Sequence, residues 1–185
     1  MDIWISDLTY NDTFEMDELY HFINERPRTE TRENTYVIQL ISRTPRQIVN
    51  FAVDNHKSVK QIQPIVDGAM PAYQYNTDGY HGYMDVVFPG LHRRNIENKK
   101  HTHNIESVNA DLRHYIPGLR RRSRCFFRSL ETMRAVLFVF ANAYNKFGEA
   151  KLKFRRKLIE LYGLCAKQWN YYKDPPINLF QFVST

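Results

Sequence analysis

Apolar and polar residues change period several times along the chain, and each change marks a new element. Residues 12–23 alternate as a strand does, with Phe14, Met16 and Glu18 on one side and Glu15, Asp17 and Leu19 on the other. Residues 24–35 are polar, charged and interrupted by Pro27, which predicts a turn. Residues 35–42 (TYVIQLIS) are β-branched and apolar, the composition of a buried strand. The RTPR stretch turns the chain again, and residues 47–54 (QIVNFAVD) read as a third strand. Three successive strands with short connections predict an antiparallel meander.

Beyond this point the period lengthens. Ser58 is placed to N-cap a helix reaching about Met70, with Val59, Ile62, Ile65, Val66 and Ala69 inward. Pro64 falls inside that helix and removes one of its hydrogen bonds. Residues 72–78 (AYQYNTD) predict a short strand ending in Asp78-Gly79, whereas 86–88 and 92–96 are too short to assign. A helix over 102–113 follows, its buried stripe carried by Ile105, Val108, Leu112 and, just past it, Ile116; it ends before Pro117-Gly118. The longest helix is expected over 129–147, where Leu130, Met133, Leu137, Phe140, Tyr144 and Phe147 step by threes and fours. A basic amphipathic continuation past Gly148 is expected, and Pro175-Pro176 ends regular structure before an apolar tail suited to docking on the body or on a second subunit. This order predicts an α/β domain over residues 1–150, a mixed sheet covered by helices, with residues 151–185 as a basic helical C-terminal extension.

Composition narrows the class. With 185 residues, 43% hydrophobic and 14% aromatic, the chain is long and apolar enough for a sizeable core and does not read as disordered. No apolar run approaches the ~20 residues of a membrane span, and the acidic N-terminal stretch lacks the basic start of a signal peptide. Cys125 and Cys165 stand alone with no CxxC, which fits a reducing cytoplasm and excludes an ordinary zinc ribbon in these residues. The net charge of +6 conceals an asymmetry. Residues 1–35 hold three arginines against nine acids; residues 92–128 hold ten Lys/Arg against three acids, and 146–173 hold eight against two. Basic blocks of this kind either solvate helix faces or meet a polyanion.

The candidate chemistry lies in three acids on three elements: Asp17 in the first strand, Asp78 at the end of a later one, and Glu106 on the 102–113 helix. Carboxylates from separate elements can hold Mg²⁺ through hard oxygens and leave positions for water and phosphate. Two such ions, roughly 3.5–4 Å apart, cover the charge of phosphodiester cleavage. On the helix, positions 106 and 113 fall within about 20° of each other, so Glu106, Asn109 and Arg113 share a stripe. Scattered acids also arise without function: Glu15, Asp17 and Glu18 could be an exposed acidic edge, Asp78-Gly79 a plain turn, and Glu106 a solvated helix residue.

Three motifs occur in order: Glu15-Met16-Asp17-Glu18-Leu19, then Asn76-Thr77-Asp78-Gly79-Tyr80-His81-Gly82-Tyr83, then the run from His101 to Arg113 that contains Thr102, Ile105-Glu106, Asn109 and Leu112-Arg113. Together they resemble the catalytic domain of bacterial DDE transposases of the insertion-sequence-one type. The likeness spans roughly residues 14–150 and extends into the basic segment Leu119 to Ser129. It implies an RNase H-like fold, a mixed five-stranded sheet whose first three strands are antiparallel, flanked by helices. It also implies that Asp17, Asp78 and Glu106 are the catalytic acids and hold two Mg²⁺ ions, for which Mn²⁺ substitutes. Asn109, Arg113, Arg120, Arg121, Arg122 and Arg124 would contact DNA, with Asn109 alternatively supporting the metal site.

The activity so implied is hydrolysis at the ends of a mobile element and strand transfer of the freed 3′-hydroxyl into target double-stranded DNA, in a nucleoid-associated cytoplasmic protein that forms homo-oligomers. Family members also carry an N-terminal zinc-ribbon and helix-turn-helix region. Only 16 residues precede Asp17, so a separate protein supplying that module is an expected partner. Two alternatives stand beside this reading: a catalytically incomplete, DNA-binding regulatory fragment, and a structure-selective nuclease of the same fold. His101 and His103 are expected at DNA or at the helix cap rather than on a metal, Phe126 and Phe127 in the core, and Tyr80 and Tyr83 beside the second acid.

Overall fold

In the computed structural model, residues 2–5, 8, 10–23, 33–95, 101–120 and 127–162 are described. Five strands form one sheet: β1 (Thr13–Ile23), β2 (Glu33–Ser42), β3 (Gln47–Asp54), β4 (Gln74–Thr77) and β5 (Leu91–Arg94). Their order is β3-β2-β1-β4-β5, which puts β1 at the centre. β2 runs antiparallel to both β1 and β3, with the expected turn at 43–46 joining β2 to β3, while β4 and β5 run parallel to β1. The chain therefore has an α/β architecture with the mixed sheet of an RNase H-like fold. The turn expected over 24–35 lies for the most part outside the described residues, as do Cys125, Cys165 and the apolar tail; β2 itself begins at Glu33, slightly earlier than the sequence pattern suggests.

Three helices cover the sheet: α1 (Val59–Asp67), α2 (His103–Tyr115) and α3 (Leu130–Tyr162). The strand alternation read from sequence divides the core in two. Phe14 and Met16 of β1, with Ile38 and Leu40 of β2, pack against Ile62, Ile65 and Val66 of α1. Leu19, Ile23, Val37, Ile41 and Val53 face the other way, onto Ile105, Val108 and Leu112 of α2 and Met133, Leu137 and Phe140 of α3. Burying both faces of the sheet makes three layers, which is why β1 and β2 each place apolar residues on both faces.

Local chemistry sets the helix ends. The Ser58 N–H donates to Gln61 Oε1 at 3.3 Å in a capping box. α1 then stops at Gly68, shorter than the expected end near Met70, and it accommodates Pro64 in its interior. Pro117 ends α2, as its missing N–H requires. α3 runs without interruption through Gly148, so the expected domain boundary at 150 falls inside one helix. Asn145, fully buried on α3, binds both the N–H and the carbonyl of Ile48 (2.8 and 2.9 Å) and donates to the Trp4 carbonyl, joining helix, edge strand and N-terminal segment. Among the described residues no helix is long and apolar enough to cross a membrane.

Candidate metal centre

Where β1 and β4 part, a cleft opens in the middle of the sheet. Their parallel pairing ends at Met16 and Thr77, so the next residues, Asp17 and Asp78, stand at the mouth of the gap. Such a position, just beyond the carboxyl end of a strand where neighbouring strands diverge, is where open α/β sheets place their ligands. Glu18 joins the two aspartates: one oxygen from each of Asp17, Glu18 and Asp78 lies within 4.8 Å of the others. Along β1, residues 17 and 18 point to opposite faces. Past the last β4 partner, both sides of the strand are open to the gap, and the two carboxylates reach round it towards Asp78.

Each acid is held from behind. Asp17 Oδ1 accepts the Glu18 N–H at 2.8 Å, and Oδ2 accepts Asn109 Nδ2 at 3.0 Å. Asp78 Oδ1 accepts the Tyr80 N–H at 2.9 Å, an Asx turn leading into the 3₁₀ turn His81–Asp85. Gly82 leaves room for the Tyr80 ring over that turn, since a Cβ there would lie 2.4 Å from Tyr80 Cε1. Glu18 Oε2 meets Lys57 Nζ at 3.4 Å.

The Glu18 side chain is only 5% exposed, and its Oε1 is fully buried. The hydroxyl of Tyr83, itself fully buried, is the donor that faces the Glu18 carboxylate. Burial, opposed in part by Tyr83 and Lys57 and reinforced by the charge of Asp78, raises the Glu18 pKa. Burial and the neighbouring Glu18, Asp17 and Asp78 charges push the Tyr83 phenol far above its ordinary value. Three converging carboxylates form an electronegative spot that Lys57 offsets in part. These residues fit a hard divalent cation. Oxygens sharing one Mg²⁺ stand roughly 3–4 Å apart, a small closure from the spacing seen here.

Of the three acids expected from sequence, Asp17 and Asp78 are brought together. Glu106 is not part of that group; it is exposed on α2, one turn before Asn109. The acid that completes the cluster is Glu18, which the sequence reading placed beside Asp17 without giving it a role. Asn109 is 7% exposed, and its amide is turned inward: Nδ2 donates to Asp17 and Oδ1 accepts Gln39 Nε2 in a very short contact. Gln39 is the register partner of Asp17 across β1 and β2, so strand pair and helix are tied through one amide. The geometry thus favours support of Asp17 over contact with DNA for Asn109. Arg113, half-buried, follows one turn later on the same helix. Arg120 is exposed, with Nη2 donating to the His114 carbonyl at 2.8 Å. Arg121, Arg122, Arg124 and Phe126 lie outside the described residues, and Phe127 is buried as expected.

Glu15 does not belong to an exposed acidic edge either. It is fully buried and accepts Arg43 Nε (3.0 Å), Asn104 Nδ2 (2.8 Å) and the Ile105 N–H (2.9 Å). A carboxylate at the first turn of α2 satisfies N–H groups that have no partner inside the helix. Arg43 also donates to the His101 carbonyl at 3.0 Å. Glu15 and Arg43 therefore fix where α2 starts, and through it where Asn109 meets Asp17. His101 and His103 do not enter the acid cluster. No protein-family model matches the chain, and no curated protein sequence matches it.

Proposed function

We propose that this chain is the catalytic domain of a divalent-metal-dependent enzyme of DNA phosphoryl transfer, a DDE-type transposase. The observation that carries the reading is the convergence of Asp17, Glu18 and Asp78 at the opening between β1 and β4. The order of the three sequence motifs supports it, as does the sheet topology on which they sit.

In this reading Asp17, Glu18 and Asp78 hold Mg²⁺, and Glu106, exposed on the neighbouring helix, is the acid that would serve a second ion. Bound divalent cations supply positive charge that favours deprotonation of an attacking water or 3′-hydroxyl and offsets the charge on the phosphorane-like transition state. The chain's own residues do the rest. The Glu18 N–H and Asn109 fix both oxygens of Asp17, and the Tyr80 N–H fixes Asp78, so no side-chain ordering has to accompany the reaction. Lys57 holds Glu18 in place through Oε2. Arg113 offers a guanidinium for a phosphate two turns from Glu106.

The test is a joining assay with the purified chain, duplex oligonucleotides and Mg²⁺ or Mn²⁺. Asp17→Ala and Asp78→Ala should each abolish cleavage and strand transfer while duplex binding survives. Full activity in either variant overturns the reading. Cleavage of branched substrates with no strand transfer would instead favour the structure-selective nuclease.

A further inference from the structure

Next to the acid cluster, on the α1 face of the sheet, is an open cavity of about 600 Å³ lined by Asn34, Tyr36, Asn55, His56, Lys57 and Tyr80. Its size lies within the roughly 300–1,000 Å³ of small-ligand sites. Two residues join it to the metal centre. Tyr80 holds Asp78 by its backbone N–H while its ring lines the cavity. Lys57 binds Glu18 and lies over two rings, 3.8 Å from the centroid of Tyr80 and 5.4 Å from that of Tyr36. Along β2, Tyr36 is two residues from Ile38, the register partner of Glu18, a step of about 7 Å.

We propose that this cavity seats one unpaired nucleobase of the DNA strand whose phosphate lies at the acid cluster. The inference rests on the DNA phosphoryl-transfer reading for the identity of the strand. The lining matches a base in three respects. Tyr36 offers an aromatic ring on which any base can stack, and Tyr80, with Lys57 3.8 Å over its centroid, walls the cavity beside it. The amides of Asn34 and Asn55 and the imidazole of His56 supply the donors and acceptors that base edges require. The one fixed cation among the lining residues, Lys57, is already engaged by Glu18 and by both rings, so the cavity lacks the surplus positive charge that a phosphate seat needs. Tyr36 is itself braced from the side by Tyr20, at 5.8 Å between centroids, and the Tyr20 hydroxyl donates to Asn34 Oδ1 at 2.9 Å. A base here would be held out of a duplex, one side chain away from the reacting phosphate.

The experiment is photocrosslinking of the full chain to a single-stranded oligonucleotide carrying 5-iodouracil, in EDTA so that no chemistry on the phosphate intervenes. Adducts on Tyr36 or Tyr80, located by peptide mass spectrometry, are the expected result. Tyr36→Leu should weaken binding of the same oligonucleotide by about five- to 150-fold, the loss of one stacking partner, with its unfolding midpoint measured alongside. Adducts confined to other residues, undiminished affinity in a folded Tyr36→Leu chain, or loss of the adduct on adding millimolar inorganic phosphate would each overturn the base seat. The adduct map needs only the unsubstituted chain, so it decides the matter even if Tyr36→Leu fails to fold. Adducts at Tyr36 in a chain without metal-dependent cleavage would leave the base seat standing and remove the transposase reading. Cleavage without those adducts would do the reverse.

Discussion

The Tyr83 hydroxyl is buried against the Glu18 carboxylate, and the two act on each other: the phenol lowers the Glu18 pKa in part, while burial and the Glu18 charge raise that of the phenol. A hydrogen bond to a charged group contributes about 1.5–3 kcal/mol. Tyr83→Phe is therefore expected to lower the unfolding free energy of the metal-free chain by about 1–3 kcal/mol in urea titrations. Unchanged or raised stability on that substitution would mean that the hydroxyl does not hold Glu18. His92 on β5 makes a second prediction at this scale. Burial and, less so, Arg94 lower its pKa, while its Nε2 lies 2.9 Å from Thr77 Oγ1. The folded chain then binds fewer protons at this site than the unfolded chain, so stability rises with pH through this window. It is lost as pH falls below about 6.5, where the unfolded histidine takes up its proton. His92→Gln should flatten that acid limb. The check is the difference in thermal midpoint between pH 7.5 and pH 5.5, which should be smaller in the variant than in the parent chain.

Between elements, a single amide carries the alignment of α2 with the sheet. Asn109 bridges Gln39 on β2 and Asp17 on β1, and Glu15 with Arg43 sets the start of the same helix. Groups that orient a metal ligand are commonly worth 10–100-fold in metal affinity when lost. Asn109→Ala should accordingly weaken Mn²⁺ binding by about ten-fold or more in calorimetric titration, with the secondary-structure spectrum unchanged. Equal affinity would show that Asp17 keeps its place without the helix. Much of this arrangement was legible in the chain. The change from period two to longer periods marked the meander and the helices, and the pattern itself put Asp17 in the first strand and Asp78 at the end of a later one. Glu18 was not read as part of the site, because alternation sends neighbouring strand residues to opposite faces. That rule loses its force where a strand outruns its partner, and only the register, ending at Met16 and Thr77, reveals such a place. Glu15 was hidden for a different reason. An acid beside two others reads as solvated until the start of a helix and an arginine from another strand are seen to converge on it. Gln39 carried no signal, since a lone polar residue in an apolar strand has many uses.

Charge acts at the scale of the whole molecule, and it argues for a polyanion more directly than any single contact. The acidic residues are concentrated in the first 35 positions and the basic ones in 92–128 and 146–173, which a uniformly solvated surface does not require. Part of the acidic block is consumed internally: Glu15 is paired in the core, and Asp17 and Glu18 serve the metal centre. Arg120 is exposed, and in sequence it opens the run completed by Arg121, Arg122 and Arg124, just after the helix that carries Glu106, Asn109 and Arg113. If these four arginines meet DNA phosphates, each releases condensed counterions on binding, and the logarithm of the duplex affinity falls with the logarithm of salt by about 0.9 per contact. Replacing all four by alanine should therefore weaken duplex binding at low salt and make the salt dependence shallower by about 3–4 in that slope. Fluorescence anisotropy between about 50 and 200 mM salt covers the range in which such contacts change affinity most visibly. A slope that stays the same while affinity drops would place these arginines in folding rather than at the phosphates, and the polyanion would then have to be sought along the basic residues of 146–173.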